Sequence, residues 1–262
     1  MSHLTLAIED RVATVTFDNP PLQVMTPSTV HEIADMLPRL DEDDVGAVVF
    51  TGADSDYFIR HFSVEELDAS ARGDGTKWAV NMDDVLLRVE HFPKPVICAL
   101  NGTAMGGGLE FALAMDIRVA KDGPFRFGLP EVSVGILPGG GGTQRLPAQV
   151  GRGRALEMML RARLVTPSEA HAYGLVEELV PAETAESALE RAQAIAAEIA
   201  LRPPLAVAHI KRLTREAVSP VTKDMLTLES RLFAELMRTP EAQALMQAVA
   251  AQHRVLREDD LP

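Results

Sequence analysis

Residues 95–116, PVICALNGTAMGGGLEFALAMD, decide how this chain is read. The uninterrupted apolar run PVICAL has the pattern of a strand buried on both faces. It leads into Gly106, Gly107 and Gly108, and a helix is predicted immediately after them, over 108–116. Consecutive glycines let the backbone turn tightly and let another group approach its bare N–H groups. A helix starting there aims N–H donors that lack intrahelical partners, together with the positive end of its dipole, at one spot. Such a spot suits an anion, or an oxygen that becomes anionic as a reaction proceeds. It is not a nucleotide P-loop, because no Gly-Lys-Ser/Thr follows and the GxGxxG spacing is absent.

Outward from this stretch, strands and helices alternate. LTLAIE (4–9) and VATVTF (12–17) read as a hairpin around Asp10–Arg11. Thr26-Pro27 reads as a helix cap followed by Val30, Ile33, Leu37 and Leu40 at helical spacing. AVVFTG (47–52) is a short buried strand, IRVAKD (117–122) another, and FRFGLPEV (125–132) a further strand with its loop. That alternation favours an α/β core. From Thr184 onward the text is helical, over 184–201, 204–217 and 221–238, punctuated by prolines. The expected division is an α/β core over 1–190 and a helical C-terminal region over 191–262.

Composition narrows the class. With 262 residues the chain amounts to one or two domains at roughly 150 residues each. Lys and Arg number 25 against 38 Asp and Glu, a net charge of −13, which argues against a nucleic-acid partner. A single cysteine rules out an internal disulfide and any four-cysteine metal site, and suggests a reducing compartment. No run reaches the ~20 apolar residues of a membrane span, and MSHLTLAIED has no basic-then-apolar leader pattern. The expectation is a cytoplasmic protein with no membrane partner and no metal.

Two glutamates stand out. Glu110 falls in the first turn of the helix after the glycines, where the dipole alone would favour a carboxylate. Glu131 lies in FGLPEVSVGILPGGGGTQRL (127–146), before an apolar run where a charge needs a reason. Two carboxylates beside an oxyanion-stabilising turn can take and give protons. The second glycine cluster, Gly139 to Gly142, reads either as a flexible loop or as a holder of water beside Glu131.

At these residues the chain resembles the enoyl-CoA hydratase/isomerase (crotonase) superfamily. PVICALNGTAMGGGLEFALAMDIRVA and FGLPEVSVGILPGGGGTQRLPAQVG carry the resemblance, and RLVTPSEAHAYGLVEELVP and PPLAVAHIKRLTREA extend it over essentially the whole chain. It implies an α/β fold, a crotonase-like spiral of β-β-α units, with a helical C-terminal region that packs on neighbouring subunits in a homotrimer or a dimer of trimers. It implies addition of water to a 2-enoyl-CoA, with no separate cofactor, since coenzyme A is carried by the acyl-CoA substrate. By the same match Glu110 handles water and Glu131 delivers a proton to Cα. The backbone N–H groups of Phe62 and Gly107 hold the thioester oxygen, and Gly139 helps to place the water. Substrate contacts are expected from Ile59, Arg60, His61 and Gly106.

The chain departs from the family pattern over residues 58–63, where a glycine has become His61, a small residue Phe62 and an aspartate Ser63. His61 reads either as a surface or packing residue or as part of the acyl pocket. Arg60 reads either as a solvated cation or as a partner for a CoA phosphate. QAVAAQHR (247–254) lacks the aromatic and lysine with which relatives contact CoA. Trp78, in 71–84, reads as packing or as a lining of the acyl tunnel. Two other functions stay open: hydrolysis or C–C cleavage of a 3-oxoacyl-CoA or a β-diketone in the same oxyanion hole, and a catalytically idle binding module.

Overall fold

The computed structural model describes residues 2–74, 80–218 and 222–251. β1 (Leu4–Glu9) and β2 (Val12–Phe17) form the expected antiparallel hairpin, with Leu4 opposite Phe17 and Glu9 opposite Val12. Asp10 and Arg11, with φ of 47° and 67°, make its turn. Two left-handed residues in succession give a turn whose twist suits the flanking strands. Thr26 then caps α1 (Pro27–Leu40), accepting from the N–H of Thr29, with Pro27 in the first helical position.

From there the chain rises as a spiral, each turn leaving one strand in a large sheet and a shorter strand in a small one. The first turn runs β3 (Ala47–Gly52), β4 (Tyr57–Ile59), α2 (Val64–Arg72) and α3 (Met82–Glu90). The second runs β5 (Val96–Leu100), β6 (Thr103–Met105) and α4 (Gly107–Leu113). The third runs β7 (Ile117–Lys121), β8 (Phe127–Gly128), a 3-10 turn over Glu131–Val134 and α5 (Gly142–Val150). α6 (Arg152–Leu160), α7 (Pro167–Tyr173) and β9 (Glu178–Val180) follow. The large sheet has the order β1-β2-β3-β5-β7-β9 and is parallel beyond the hairpin; the small one is β4-β6-β8 and wholly parallel. Parallel pairing brings the C-terminal ends of β4, β6 and β8 side by side. This is the α/β spiral that the resemblance implied.

The inner face of the large sheet is filled by an aromatic cluster, with the Phe111 ring edge-on to Phe50 at 5.1 Å and stacked on Phe58 at 6.5 Å. The outer face is covered by α8 (Ala188–Ala200), whose Ala188, Ala192, Ala196 and Ala200 form a buried column against Val49, Ile97, Ala99 and Val119. Alanine at every fourth position puts small side chains on one face of the helix, so that it lies close to the strands. The expected 190/191 division lies within this helix.

α9 (Pro204–Val218), α10 (Lys223–Leu236) and α11 (Pro240–Ala251) complete the chain. α10 and α11 return to the chain's own core: Leu236 packs on it, and Ala242 and Met246 are part of it. Met225, Leu228, Leu232 and Leu236 stand at helical spacing on α10, but they do not form one buried stripe, since Leu228 and Leu232 face outward; the Met225 side chain lies outside the described residues, as does Trp78. Among the described residues no helix is long and apolar enough to cross a membrane.

Candidate active site

The three strands of the small sheet end at one cavity of about 240 Å³. Beyond β4 come His61 and Phe62, beyond β6 come Gly106, Gly107 and Glu110, and beyond β8 comes Glu131; all of them line it, as does Gly139. Met105 N–H donates to the Arg60 carbonyl at 2.9 Å and Gly106 N–H to the Gly128 carbonyl at 3.0 Å, so the three chain ends are cross-bonded. Seven of the nine expected site residues therefore meet. Ile59 and Arg60 do not line the cavity. The Ile59 side chain is in the core, and the Arg60 guanidinium lies 3.8 Å over the Tyr57 ring.

Two glycines are required by this geometry. Gly106 has a φ of 49°, and a Cβ there would stand 3.1 Å from Glu131 Oε1 and 3.6 Å from His61 Cβ. At Gly108 a Cβ would stand 2.1 Å from the Ile59 carbonyl oxygen, so nothing larger than hydrogen fits. A Cβ on Gly107 would lie 3.4 Å from Phe62 N, which puts the first turn of α4 directly beside the 61–63 loop.

The two glutamates are held differently. Glu110 Oε1 accepts from the N–H groups of Gly140 and Gly142, each at 2.8 Å. Glu131 Oε2 is buried and has no partner among the described residues. Burial pushes the Glu110 carboxyl well above the usual carboxylate range; Glu131 and Glu229 add to the rise, and the two glycine N–H bonds oppose it. Burial likewise pushes Glu131 up to about 8, against a hydrogen bond from its own backbone, with Glu229 adding to the rise. Two buried carboxyls side by side share protons rather than both ionising.

His61 is not a surface residue: 6% of it is exposed. Its Nδ1 lies 2.7 Å from the Phe62 carbonyl, which can only accept, so the proton sits on Nδ1 and Nε2 is left with a lone pair. Burial pushes its pKa down to about 4; the bond to Phe62 opposes this and the Arg60 charge adds to it. Among the described non-glycine residues, positive φ occurs at Asp10, Arg11, Gln23 and Ala162. Position 61 is therefore not one that only glycine can occupy.

Residues that the sequence did not single out form much of the remaining wall. Val64, Met82, Val134, Ile136, Phe233 and Met237 give an apolar lining, with Asp83 and Ser230 as polar points. Phe233, Met237 and Ser230 come from α10 and its C-terminal end, the part of the chain expected to serve neighbouring subunits.

A family model for enoyl-CoA hydratase/isomerase matches residues 7–254. The chain belongs to the enoyl-CoA hydratase/isomerase family. Within this crotonase superfamily it is 34% identical over 258 residues to the short-chain-enoyl-CoA hydratase of Clostridium acetobutylicum, covering 97% of each chain. It is 32% identical over 249 residues to the 2,3-dehydroadipyl-CoA hydratase of Escherichia coli, covering 92% of each. The crystal structure of carnitinyl-CoA hydratase from Mycobacterium avium superposes with a TM-score of 0.83 at 30% identity, over 99% of both chains. The enoyl-CoA hydratase/isomerase fold accounts for the spiral and for the cavity at the ends of its small sheet.

Proposed function

We propose that the protein is a hydro-lyase that adds water across the double bond of a 2-enoyl-CoA. The observation that carries this reading is the pairing of Glu110 and Glu131 at one buried cavity, one carboxyl held by two N–H donors and the other with a bare oxygen. Donors to a carboxylate favour its charged form, and an oxygen without donors suits a neutral acid. Glu110 is then the base that takes a proton from water as its oxygen bonds to Cβ. Glu131 is the acid that gives a proton to Cα. The electron pair of the double bond passes through an enolate whose oxygen sits between the N–H groups of Phe62 and Gly107. Donors aimed at a charge that exists only in the transition state lower the barrier without tightening the ground state. Gly139 lies at the cavity where the water would be placed, and His61 and Gly106 border the acyl group. Arg60, on the same loop but outside the cavity, is left for the phosphates of the coenzyme.

The relatives named as hydratases of short-chain enoyl-, dehydroadipyl- and carnitinyl-CoA support an acyl-CoA substrate. Assembly as a homotrimer or a dimer of trimers is supported by apolar side chains left on the surface, Leu205, Ile210 and Leu213 on α9 and Leu156 and Leu160 on α6; sedimentation velocity reads it directly. The reaction is tested by following loss of the conjugated absorbance of crotonyl-CoA and longer enoyl-CoAs. Hydration that stops in both Glu110→Gln and Glu131→Gln is the expected result. Full activity in either variant overturns the assigned roles.

A further inference from the structure

The loop from Gly139 to Gly142 is gripped from two sides. Gly140 and Gly142 N–H groups point to Glu110, while the N–H of Gly141 between them donates to Glu229 Oε1 at 2.6 Å. The second oxygen of Glu229 accepts the hydroxyl of Thr143 and lies 3.4 Å from Gln144 Nε2. Glu229 is only 4% exposed and comes from α10, 88 residues further along the chain. Its neighbour Ser230 donates to Asp83 of α3 and, like Phe233, forms part of the cavity wall. Taking a carboxylate out of water is costly unless donors replace the lost hydration. This one is matched to the backbone donor that Glu110 leaves over.

We propose that Glu229 is a positioning residue of this site: by holding Gly141 N–H and the Thr143 hydroxyl, it turns Gly140 and Gly142 N–H toward Glu110. Docking of α10 thereby becomes a condition for placing the water-handling carboxylate. The catalytic consequence rests on the hydratase reading; the placement of the loop does not. The charged groups around Glu229 are Glu110 and Glu131 at the cavity, Asp83 from α3 and Arg145, whose guanidinium crowds Gly141. Burial pushes the Glu229 carboxyl above its ordinary range, against the bonds from Thr143 and Gly141 N–H; where it is ionised its charge raises both site glutamates, so removing it eases their ionisation.

The test compares Glu229→Leu, Glu229→Gln and Thr143→Val in the full-length protein. Hydration by Glu229→Leu should lose about a hundredfold in kcat, the scale of a slight misplacement of a catalytic group, with KM changing by less than about threefold. Its pH–rate profile should move to lower pH. Glu229→Gln keeps an acceptor for Gly141 and should recover most of kcat while retaining the shifted profile. Thr143→Val should fall between the two. Amide exchange over 139–146, read by mass spectrometry, follows the same tie without any reaction: it should speed up in Glu229→Leu and not in Glu229→Gln. Unchanged exchange and an unchanged profile in Glu229→Leu overturn the proposal. A wild-type protein that hydrates no enoyl-CoA overturns the functional reading instead, and the exchange arm still decides whether Glu229 holds the loop.

Discussion

Arg145 and Glu90 meet at 2.8 Å with 2% and 4% of their side chains exposed, and Arg145 also donates to the Gly140 carbonyl at 2.7 Å. The glycine loop whose N–H groups serve the carboxylates on one side is thus anchored by its carbonyl on the other. Glu90 receives Arg215 as well, at 2.9 Å. Breaking a buried pair from one side leaves an uncompensated charge, so Arg145→Met should cost about 3–5 kcal/mol in urea unfolding. Glu90→Leu strands two cations and should cost more. A loss under about 1 kcal/mol for Arg145→Met would mean that the pair contributes little beyond an apolar replacement.

The pH dependence follows from Glu131. A proton held up to about 8 is available at neutral pH and is lost as the pH rises through that value. Hydration should therefore decline on the alkaline side with an apparent pKa near 8, a property of the coupled pair rather than of one residue. Stability has the same sign. Between 4.5 and about 8 the folded protein holds a proton that the unfolded chain has released, so stability is greatest at the acidic end and falls as pH rises. Glu131→Gln should accordingly be more stable than wild type at pH 8 by at least about 1 kcal/mol, while losing activity. Equal urea midpoints for the two proteins at that pH would contradict the raised value.

His61 carries the opposite sign. Its folded pKa near 4 lies below the 6.5 of a free histidine, so the unfolded chain takes up the proton first. The stability this group provides is complete above about 6.5 and is lost as pH falls toward 4. Replacing His61 by glycine should flatten that part of the stability profile. It should also enlarge the cavity and move the kcat/KM optimum toward longer acyl chains, measured over a C4 to C10 enoyl-CoA series. An unmoved optimum would place the chain-length limit on another wall.

Gly106→Ala combines two penalties: a φ of 49° that an alanine resists and a contact of 3.1 Å with Glu131 Oε1. A residue held in such a backbone conformation costs on the order of 1–3 kcal/mol. Loss of hydration should exceed what this destabilisation explains, because the displaced group is the proposed acid. Wild-type kcat with a lowered Tm would separate the backbone effect from the site.

Much of the fold is legible in the residues. The hairpin, β3, β5, β7 and the Thr26 cap each carry a pattern of several residues, and the glycine triplet before Glu110 announces its own turn. Of the small sheet only β8 is legible, within the strand expected over 125–132. β4 and β6 have three residues each, too short for any periodicity. Six of the seven expected site residues at the cavity follow strands that end together, and Gly139 arrives on the loop before α5. Ile59 does not reach it, since its side chain alternates into the core. Glu229 and the Arg145–Glu90 pair are beyond local reading, because their partners lie 88 and 55 residues away and only the tertiary fold brings them together.

The small parallel sheet also divides the labour of the site. Phe62 follows its first strand, Gly107 its second and Glu131 its third, one contribution from each turn of the spiral. The turns are not independent, because β4 and β8 both pair with β6, and Met105 N–H and Gly106 N–H tie the ends of the three strands together. A change in any one turn is therefore felt at the other two, and the 61–63 loop and the glycine turn can vary only as a fitted pair.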